Sequence, residues 1–107
     1  MDIIGMREKI RRGEFEVSLH AEKERYAEDI SLTDIEIAVF TGEILEDYSN
    51  DPRGSSCLIL GYSQGRAIHV VCGRASTNWI RIITVYLPKP PKWIDDRTSR
   101  QAGEHHA

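Results

Sequence analysis

The spacing of apolar residues changes at Gly42, and this change constrains the fold more than any other feature of the sequence. Before Gly42 the apolar residues recur every three or four positions, which is typical of amphipathic helices. After Gly42 they stand in short apolar runs separated by turn-forming sequences, which is typical of strands. The order therefore predicts an α+β domain whose helices come first and whose sheet follows.

Two helices are predicted before residue 30. The stretch "DIIGMREKIRRG" carries apolar residues at helical spacing and ends at Gly13, and "EFEVS" after it alternates like an edge strand. Ser18 is a suitable N-cap for the second helix. On a helical wheel Arg25 and Glu28 point away from the apolar stripe, and His20 lies at its edge. The stripe itself consists of Leu19, Tyr26 and Ile30.

The sequence "ISLTDI" predicts the start of a third helix. Ser31 can accept a hydrogen bond from the backbone three residues on, and Asp34 can return it, which forms a capping box. Ile30 and Ile35 then form a hydrophobic staple around the first turn. The helix runs from Leu32 to a stop at Gly42, and because it is apolar on nearly all sides we expect much of it to be buried.

The second half of the chain predicts most of the sheet. "EILEDY" reads as a short strand, "SCLILGYSQGRAIHVVCG" as two strands around a tight turn at Gln64 and Gly65, and "WIRIITVY" as a last strand. Together with the early edge strand, we expect a twisted, mainly antiparallel sheet of about four to five strands with the helices on one face. Residues 1–93 would form one domain, and residues 94–107 a polar, flexible tail. Trp93 would fold back and pin the start of that tail to the core.

Composition excludes some classes of protein. A net charge of -3 argues against a protein that grips nucleic acid by overall electrostatics, although several arginines fall in the C-terminal half. No apolar run is long enough for a membrane span, so we expect a cytoplasmic protein that does not contact membranes. Cys57 and Cys72 lie in apolar runs and are expected to be buried, reduced thiols, with a cross-strand disulfide left open. No spacing of cysteine and histidine predicts a metal site.

Four sequence segments together resemble a known family. They are "SLHAEKERYAEDIS", "DIEIAVFTGEILEDY", "CLILGYSQGRAIHVV" and "IITVYLPKPPKW", and they extend from Ser18 to Trp93. They resemble a bacterial and archaeal domain-of-unknown-function family that is similar to the RelE/ParE-like toxin superfamily. The matching signature positions are Ser18, His20, Ala21, Gly42, Glu46, Tyr48, Gly61, Gly65, Arg66, His69, Thr84, Tyr86 and Trp93.

The resemblance implies a RelE/ParE-like fold and a function in a toxin–antitoxin module. It implies a toxin that cleaves mRNA, with RNA or the ribosome as target and a YgiT/MqsA-type zinc-finger antitoxin as partner. No cofactor is implied. The sequence departs from the family at two positions one helical turn apart, where many members have arginine and this chain has Glu24 and Glu28. This departure argues against an RNA-binding surface on the second helix.

Metal-independent RNA cleavage needs a base, an acid and cations that hold the phosphate. The candidate catalytic residues are His20, His69, Arg66 and Tyr86, and the candidate substrate-binding residues are Arg74 and Arg81. Histidine suits proton transfer near neutral pH, and arginine suits phosphate.

Each candidate also has a purely structural interpretation. His20 could pack at the core edge and bond Glu24, Arg66 could be an exposed hairpin arginine, and Trp79 and Tyr86 could simply pack on the sheet. Glu46 and Asp47 should point to opposite faces of a strand, which argues against joint acid–base chemistry. The leading hypothesis is a ribonuclease toxin, and the alternative is a catalytically inactive protein-interaction module of the same fold. His105 and His106 in the predicted tail are not expected to bind metal.

Overall fold

The computed structural model describes residues 1–99, which form three helices and a five-stranded mixed sheet. The first half contains α1 (Ile3–Arg11), β1 (Phe15–Val17), α2 (Leu19–Ala27) and α3 (Leu32–Thr41). The second half contains β2 (Glu43–Tyr48), β3 (Ser56–Ser63), β4 (Arg66–Arg74) and β5 (Ile80–Tyr86). The predicted α+β architecture with N-terminal helices is confirmed.

The strand order in the sheet is β1-β5-β4-β3-β2. β2 to β5 form an antiparallel meander, and β1 joins its edge in parallel with β5. The hairpin between β3 and β4 turns at Gln64 and Gly65, which both have positive φ, as a tight two-residue turn requires.

The helices cover one face of the sheet, and the hydrophobic core lies between them. Alternate residues of β4 point into this core, as expected for a strand with a period of two. The core side chains of the three central strands are Cys57, Ile59, Ile68, Val70, Cys72, Ile80, Ile82 and Val85. Cys57 and Cys72 are direct cross-strand partners, buried and free, and burial raises the pKa of the Cys57 thiol to about 11. The expectation of buried, reduced thiols is confirmed.

α3 packs very closely on β3. A methyl group added at Gly61 would lie 2.1 Å from the backbone oxygen of Ala38, and one at Gly42 would lie 2.3 Å from the same oxygen. Both glycines are therefore needed because backbone approaches backbone here. The predicted capping box of Ser31 and Asp34 is present, and the helix ends at Gly42 as predicted.

The prediction that α3 is largely buried holds for one side of the helix only. Ile35, Ala38 and Val39 are fully buried, whereas Ile37 and Phe40 remain more than 40% exposed. The helix contacts the sheet through its small Ala38 face, so the remaining apolar residues are left at the surface.

The predicted apolar stripe of α2 is wrong at Leu19 and Tyr26, whereas its third member, Ile30, is buried as predicted. Leu19 and Tyr26 are exposed, whereas the side chains of Arg25 and Glu28, expected to point away, are 12% and 19% exposed. The cause is the position of α2, which continues β1 along the open edge of β5. A sheet edge presents unpaired N–H groups, and Glu24 Oε1 accepts the hydrogen bond from Val85 N at 3.0 Å. Apart from the buried Ala21, the side of α2 that lies against β5 is polar, because the helix takes the place of a strand.

Residues 92–99, here called the C-terminal strap, lie on the sheet face opposite the helices. Trp93 is only 3% exposed and packs against His69, as the sequence led us to expect. The predicted flexible tail therefore begins with residues that contact the sheet, and its remainder from residue 100 onward, including His105 and His106, lies outside the described residues.

Candidate functional site

The sheet face without helices, here called the open face, carries the chemistry-bearing side chains. Cross-strand partners share a face, so the register arranges this side in three rows that run across the strands. The first row is Glu43, Leu60, His69 and Tyr86, the second is Glu46, Leu58, Val71 and Thr84, and the third is Tyr48, Ser56, Gly73 and Arg81. Neighbouring rows are roughly 7 Å apart along a strand.

His69 and Tyr86 form a hydrogen-bonded pair in the first row. The Tyr86 hydroxyl lies 3.2 Å from His69 Nδ1, and the carbonyl oxygen of Asp96 lies 2.6 Å from His69 Nε2. A carbonyl oxygen can only accept, so Nε2 carries a proton and donates it to Asp96. In the neutral ring Nδ1 is then the acceptor, and the Tyr86 hydroxyl donates to it.

The surroundings of His69 favour this neutral form. The ring is fully buried, with the Trp93 ring edge-on at 4.4 Å between centroids. Burial lowers the pKa of His69, and burial raises the pKa of Tyr86. Both groups are therefore uncharged at neutral pH, with a histidine nitrogen able to accept a proton and a phenol able to donate one.

The third row forms the floor of an open groove of about 980 Å³, here called the arginine groove. Three arginines line it, Arg53, Arg74 and Arg81, against a single acidic side chain, Asp51. Arg81 is paired with Glu16 at 2.8 Å, and Arg53 with Asp51 at 2.9 Å. Arg74 is exposed and has no ion pair within residues 1–99. The two predicted substrate-binding arginines thus line one groove, and the groove is locally positive in a chain of net charge -3.

His20 does not join this site. It lies on α2, its side chain is 68% exposed, and its Nε2 is 3.3 Å from Glu24 Oε1. α2 runs along the edge of β5, so His20 is separated from the open face. The sequence-based candidacy of His20 as a catalytic partner of His69 is not supported, and the helical contact with Glu24 is the one observed.

The contacts of Arg66 hold the fold together. Its guanidinium donates to the backbone oxygens of Glu28 and Asp29 at 3.1 and 2.9 Å, and lies 3.4 Å from Asp34 Oδ2. It therefore satisfies carbonyls at the end of α2 and joins the hairpin to the start of α3. None of these contacts brings Arg66 to His69. The structural interpretation, an exposed hairpin arginine, does not match them either.

Asp34 is the best-connected buried charge of the described chain. It accepts hydrogen bonds from Ser63 Oγ at 2.6 Å, Gln64 Nε2 at 3.0 Å and the backbone N–H of Ser31 at 2.9 Å. The hydrogen bond from Ser63 is the largest of the causes that lower the pKa of Asp34 to about 2. The capping box predicted from sequence is thus also the tie between α3 and the hairpin.

Sequence reasoning missed the role of Glu46 and of the strap. Glu46 shares the open face, bonds the Tyr48 hydroxyl, and acts to raise the pKa of both His69 and Tyr86. Asp47 points to the other side, where its carboxylate lies 3.6 Å from the Met1 amino group. The two acids are separated as predicted, but one of them faces His69. Only the strand register could have revealed this, because a bulge lies between Ile44 and Glu46.

A comparison with protein families shows which family the chain belongs to. Residues 17–87 match the family described as a domain of unknown function, DUF4258, and the chain belongs to that family. No curated protein matches the chain, and no solved structure matches it either. The matched range includes His69, Arg74 and Tyr86, whereas α1 and the C-terminal strap lie outside it.

Two further observations concern residues 1–99. None of the helices has the length and apolar character needed to cross a membrane. Among these residues, no three histidine, cysteine, aspartate or glutamate side chains are grouped as metal ligands would be.

Proposed function

We propose that this protein is the toxin-like component of a type II toxin–antitoxin module and acts on RNA in the cytoplasm as a metal-independent endoribonuclease. Its fold class and family membership are compatible with the RelE/ParE-like relationship that its motifs suggest. The proposed partner is a zinc-finger antitoxin, and the proposed target is RNA, free or on the ribosome.

One observation carries this proposal: the arginine groove reaches Val71, in the row next to the one that holds His69 and Tyr86. Val71 lines the groove and lies two residues from His69 on the same strand face. An RNA phosphate held at Arg81 would lie two rows from a neutral imidazole and a protonated phenol, so the cleaved phosphate would be further along the same RNA strand. Cations that hold the strand, a proton acceptor and a proton donor are the groups that RNA cleavage needs.

The proposed reaction is an attack of the RNA on itself. The ribose 2'-hydroxyl loses its proton to His69 and attacks the neighbouring phosphorus, and the bond to the 5'-oxygen breaks. That oxygen takes a proton from Tyr86, which leaves a 2',3'-cyclic phosphate and a 5'-hydroxyl. Proton transfer from the imidazolium back to the phenolate then restores both side chains.

RNA binding can be tested with a fluorescent single-stranded RNA. Arg74→Ala should weaken binding by about tenfold at low salt and make the binding less salt-dependent, because one phosphate contact is lost. Arg11→Ala is the matched control, since Arg11 is an exposed arginine on α1 paired with Glu8. Equal affinity of the wild type, Arg74→Ala and Arg81→Ala would exclude the groove as the RNA site.

Toxicity can be tested by induction without the partner. The wild type should slow growth while RNA is degraded, and His69→Ala and Arg74→Ala should relieve both effects. Arg66→Ala is unsuitable here because it removes contacts that hold α2 to the hairpin. Harmless accumulation of folded wild-type protein would contradict the proposal.

A second candidate function is a catalytically inactive protein-interaction module. It is favoured by the full engagement of both His69 nitrogens, and by the exposed Ile37 and Phe40 on α3. This candidate predicts capture of a partner protein in a pull-down while RNA stays intact, and it predicts no effect of Arg74→Ala on that capture.

A further inference from the structure

The His69 and Tyr86 pair is closed off by the chain's own C-terminal strap. Trp93 packs edge-on against the His69 ring, the Asp96 carbonyl accepts from His69 Nε2, and Lys92 lies 6.0 Å above the Tyr86 ring. The arginine groove, two rows away on the same face, is left open. The strap therefore covers the half of the open face that holds the proton-transfer groups and leaves the phosphate-binding half free.

Two of the contacts that hold the strap to the sheet are at the surface. The Asp96 carboxylate bonds the exposed Tyr62 hydroxyl, and Arg97 pairs with the exposed Glu43. Such exposed polar contacts are individually weak because water competes for both partners. Trp93 is the one large buried anchor of the strap.

The strap also keeps internal hydrogen bonds that do not depend on the sheet. Ile94 N donates to Thr98 O at 2.9 Å, and Asp95 Oδ1 accepts from the backbone of Arg97 and Thr98 at 2.8 and 2.7 Å. A segment with its own bonds can leave the sheet as a unit, because lifting it breaks only the contacts to the sheet.

The hydrogen bonding of the anchor residue, Trp93, is imperfect. The indole N–H of Trp93 is buried and makes no well-formed hydrogen bond within residues 1–99, although its interaction with the Tyr86 hydroxyl acts to lower the pKa of that phenol. A poorly bonded buried donor penalises the closed state, since the same group would be hydrated after opening. The strap is thus closed by one aromatic side chain whose polar atom gains from release.

We propose that the C-terminal strap is an autoinhibitory cover: closed over His69 and Tyr86, it slows RNA cleavage, and its displacement exposes the pair on the same face as the already open arginine groove. This inference rests on the proposed function, because it concerns the regulation of the same site. It predicts that the closed protein binds RNA but cleaves it slowly, and that binding and cleavage can be separated by loosening the strap.

The experiment compares four full-length proteins: wild type, Trp93→Ala, the double variant Tyr62→Phe/Arg97→Ala, and Ile94→Ala. The double variant loosens the strap through exposed residues only. The test can therefore still be carried out on it if Trp93→Ala fails to fold. Ile94→Ala is the control, since Ile94 is in the strap and exposed. Each protein is checked for folding by circular dichroism.

Opening is measured first, by the rate of histidine modification with diethyl pyrocarbonate, resolved by peptide mass spectrometry. Exposed His20 in the same molecule is the internal reference. In the loosened variants we expect His69 to react about tenfold faster or more, because reaction requires the strap to open, while His20 and the Ile94→Ala control stay unchanged.

Cleavage and binding of single-stranded RNA are then measured on the same samples. The inference predicts faster cleavage in whichever loosened variants fold, loss of that gain when His69→Ala is added, and unchanged RNA affinity. Exposure of His69 without any gain in cleavage would overturn the autoinhibitory role and leave RNA binding by the groove standing. Unchanged His69 reactivity in the folded double variant would overturn it as well, and absence of RNA binding by every protein would instead refute the proposed function.

Discussion

The two faces of the sheet are built from the same strands but differ in what holds them. The helix-covered face is apolar, fully buried and packed so closely that two glycines touch the backbone of α3. The open face has only a short strap over one half, carries a histidine, a tyrosine and a glutamate in that region, and has Arg81 in the other half, where Arg53 and Arg74 line the same groove from a loop and a strand end. The difference indicates that the covered face determines the fold, whereas the open face is free to carry chemistry.

The largest expected effect that tests this division is on the covered face. Gly61→Ala should reduce the free energy of unfolding by more than about 4 kcal/mol, because its new methyl group would overlap the backbone of Ala38, which cannot move aside. Urea denaturation followed by circular dichroism measures the change.

The matched control for Gly61→Ala is Gly73→Ala on the open face. There the added methyl group would lie 2.9 Å from Ile83 Cδ1, the end of a side chain that can rotate away. We expect a much smaller cost at Gly73. Equal costs at the two glycines would break the distinction between a rigid covered face and an adaptable open one.

The second effect concerns Asp34, whose hydrogen bonds tie α3 to the hairpin at the rim of the covered face. Asp34→Ala should cost about 3 kcal/mol, because it leaves Ser63, Gln64 and Arg66 without their shared acceptor. Glu8→Ala, which removes the exposed ion pairs of Glu8 with Arg11 and Arg12, should cost less than about 0.5 kcal/mol. A cost at Asp34 as small as that at Glu8 would disprove the tie.

Asp34 also predicts the acid sensitivity of the fold. Its pKa is lowered from 3.8 to about 2 in the folded chain, so the unfolded chain takes up the proton first as the pH falls. The stability that it provides is present above pH 4 and is lost between about pH 4 and pH 2, by about 2 kcal/mol in total. The Asp34→Ala variant should lose this part of the acid dependence.

The sequence was sufficient for the covered side because its signals are local. The capping box at Ser31 and Asp34, the turn at Gln64 and Gly65, and the bounds of β2 were all predicted and are all confirmed. Each depends on residues within a few positions of one another, so the pattern determines the structure.

The failures arose where the environment is non-local. Apart from Ala21, the side of α2 that lies on the β5 edge is polar, and no periodicity within α2 encodes that neighbour. His69 was identified as a candidate, but its closure by Trp93 and Asp96 depends on a segment more than twenty residues away. The arginines of the groove likewise come from different strands and a loop, so their meeting depended on register.

The third effect tests whether the closed half of the open face contributes to stability. Tyr86→Phe removes the hydroxyl that donates to His69 Nδ1 and should cost about 1 kcal/mol, the usual value of one neutral hydrogen bond. Tyr26→Phe, at an exposed tyrosine on α2, should cost almost nothing. If both changes were neutral, the His69 and Tyr86 pair would add nothing to folding.

The same pair predicts a pH dependence of stability near neutrality. Burial lowers the pKa of His69 below 6.5 in the folded chain, although Asp96 and Glu46 act in the opposite direction and Lys92 in the same one. The unfolded chain therefore binds the proton first, and stability should fall as the pH drops below 6.5. NMR of the His69 ring should show it neutral where an ordinary histidine is half protonated, and a ring already charged at pH 6.5 would contradict the assigned hydrogen bonds.

The smallest expected change in stability is at the arginine groove, because we expect its arginines to act in binding and not in folding. Arg74 is exposed and has no ion pair within residues 1–99, so Arg74→Ala should alter the free energy of unfolding by less than about 0.5 kcal/mol. Arg81→Ala, which also breaks the pair with Glu16, should cost at most about 1 kcal/mol. Urea denaturation measures both changes in stability.

A loss of stability well above these values would make the arginines part of the fold and remove the argument that they bind a ligand. Unchanged stability together with weakened RNA binding would assign them to function, because a charge that contributes nothing to folding but everything to affinity can only act on a partner.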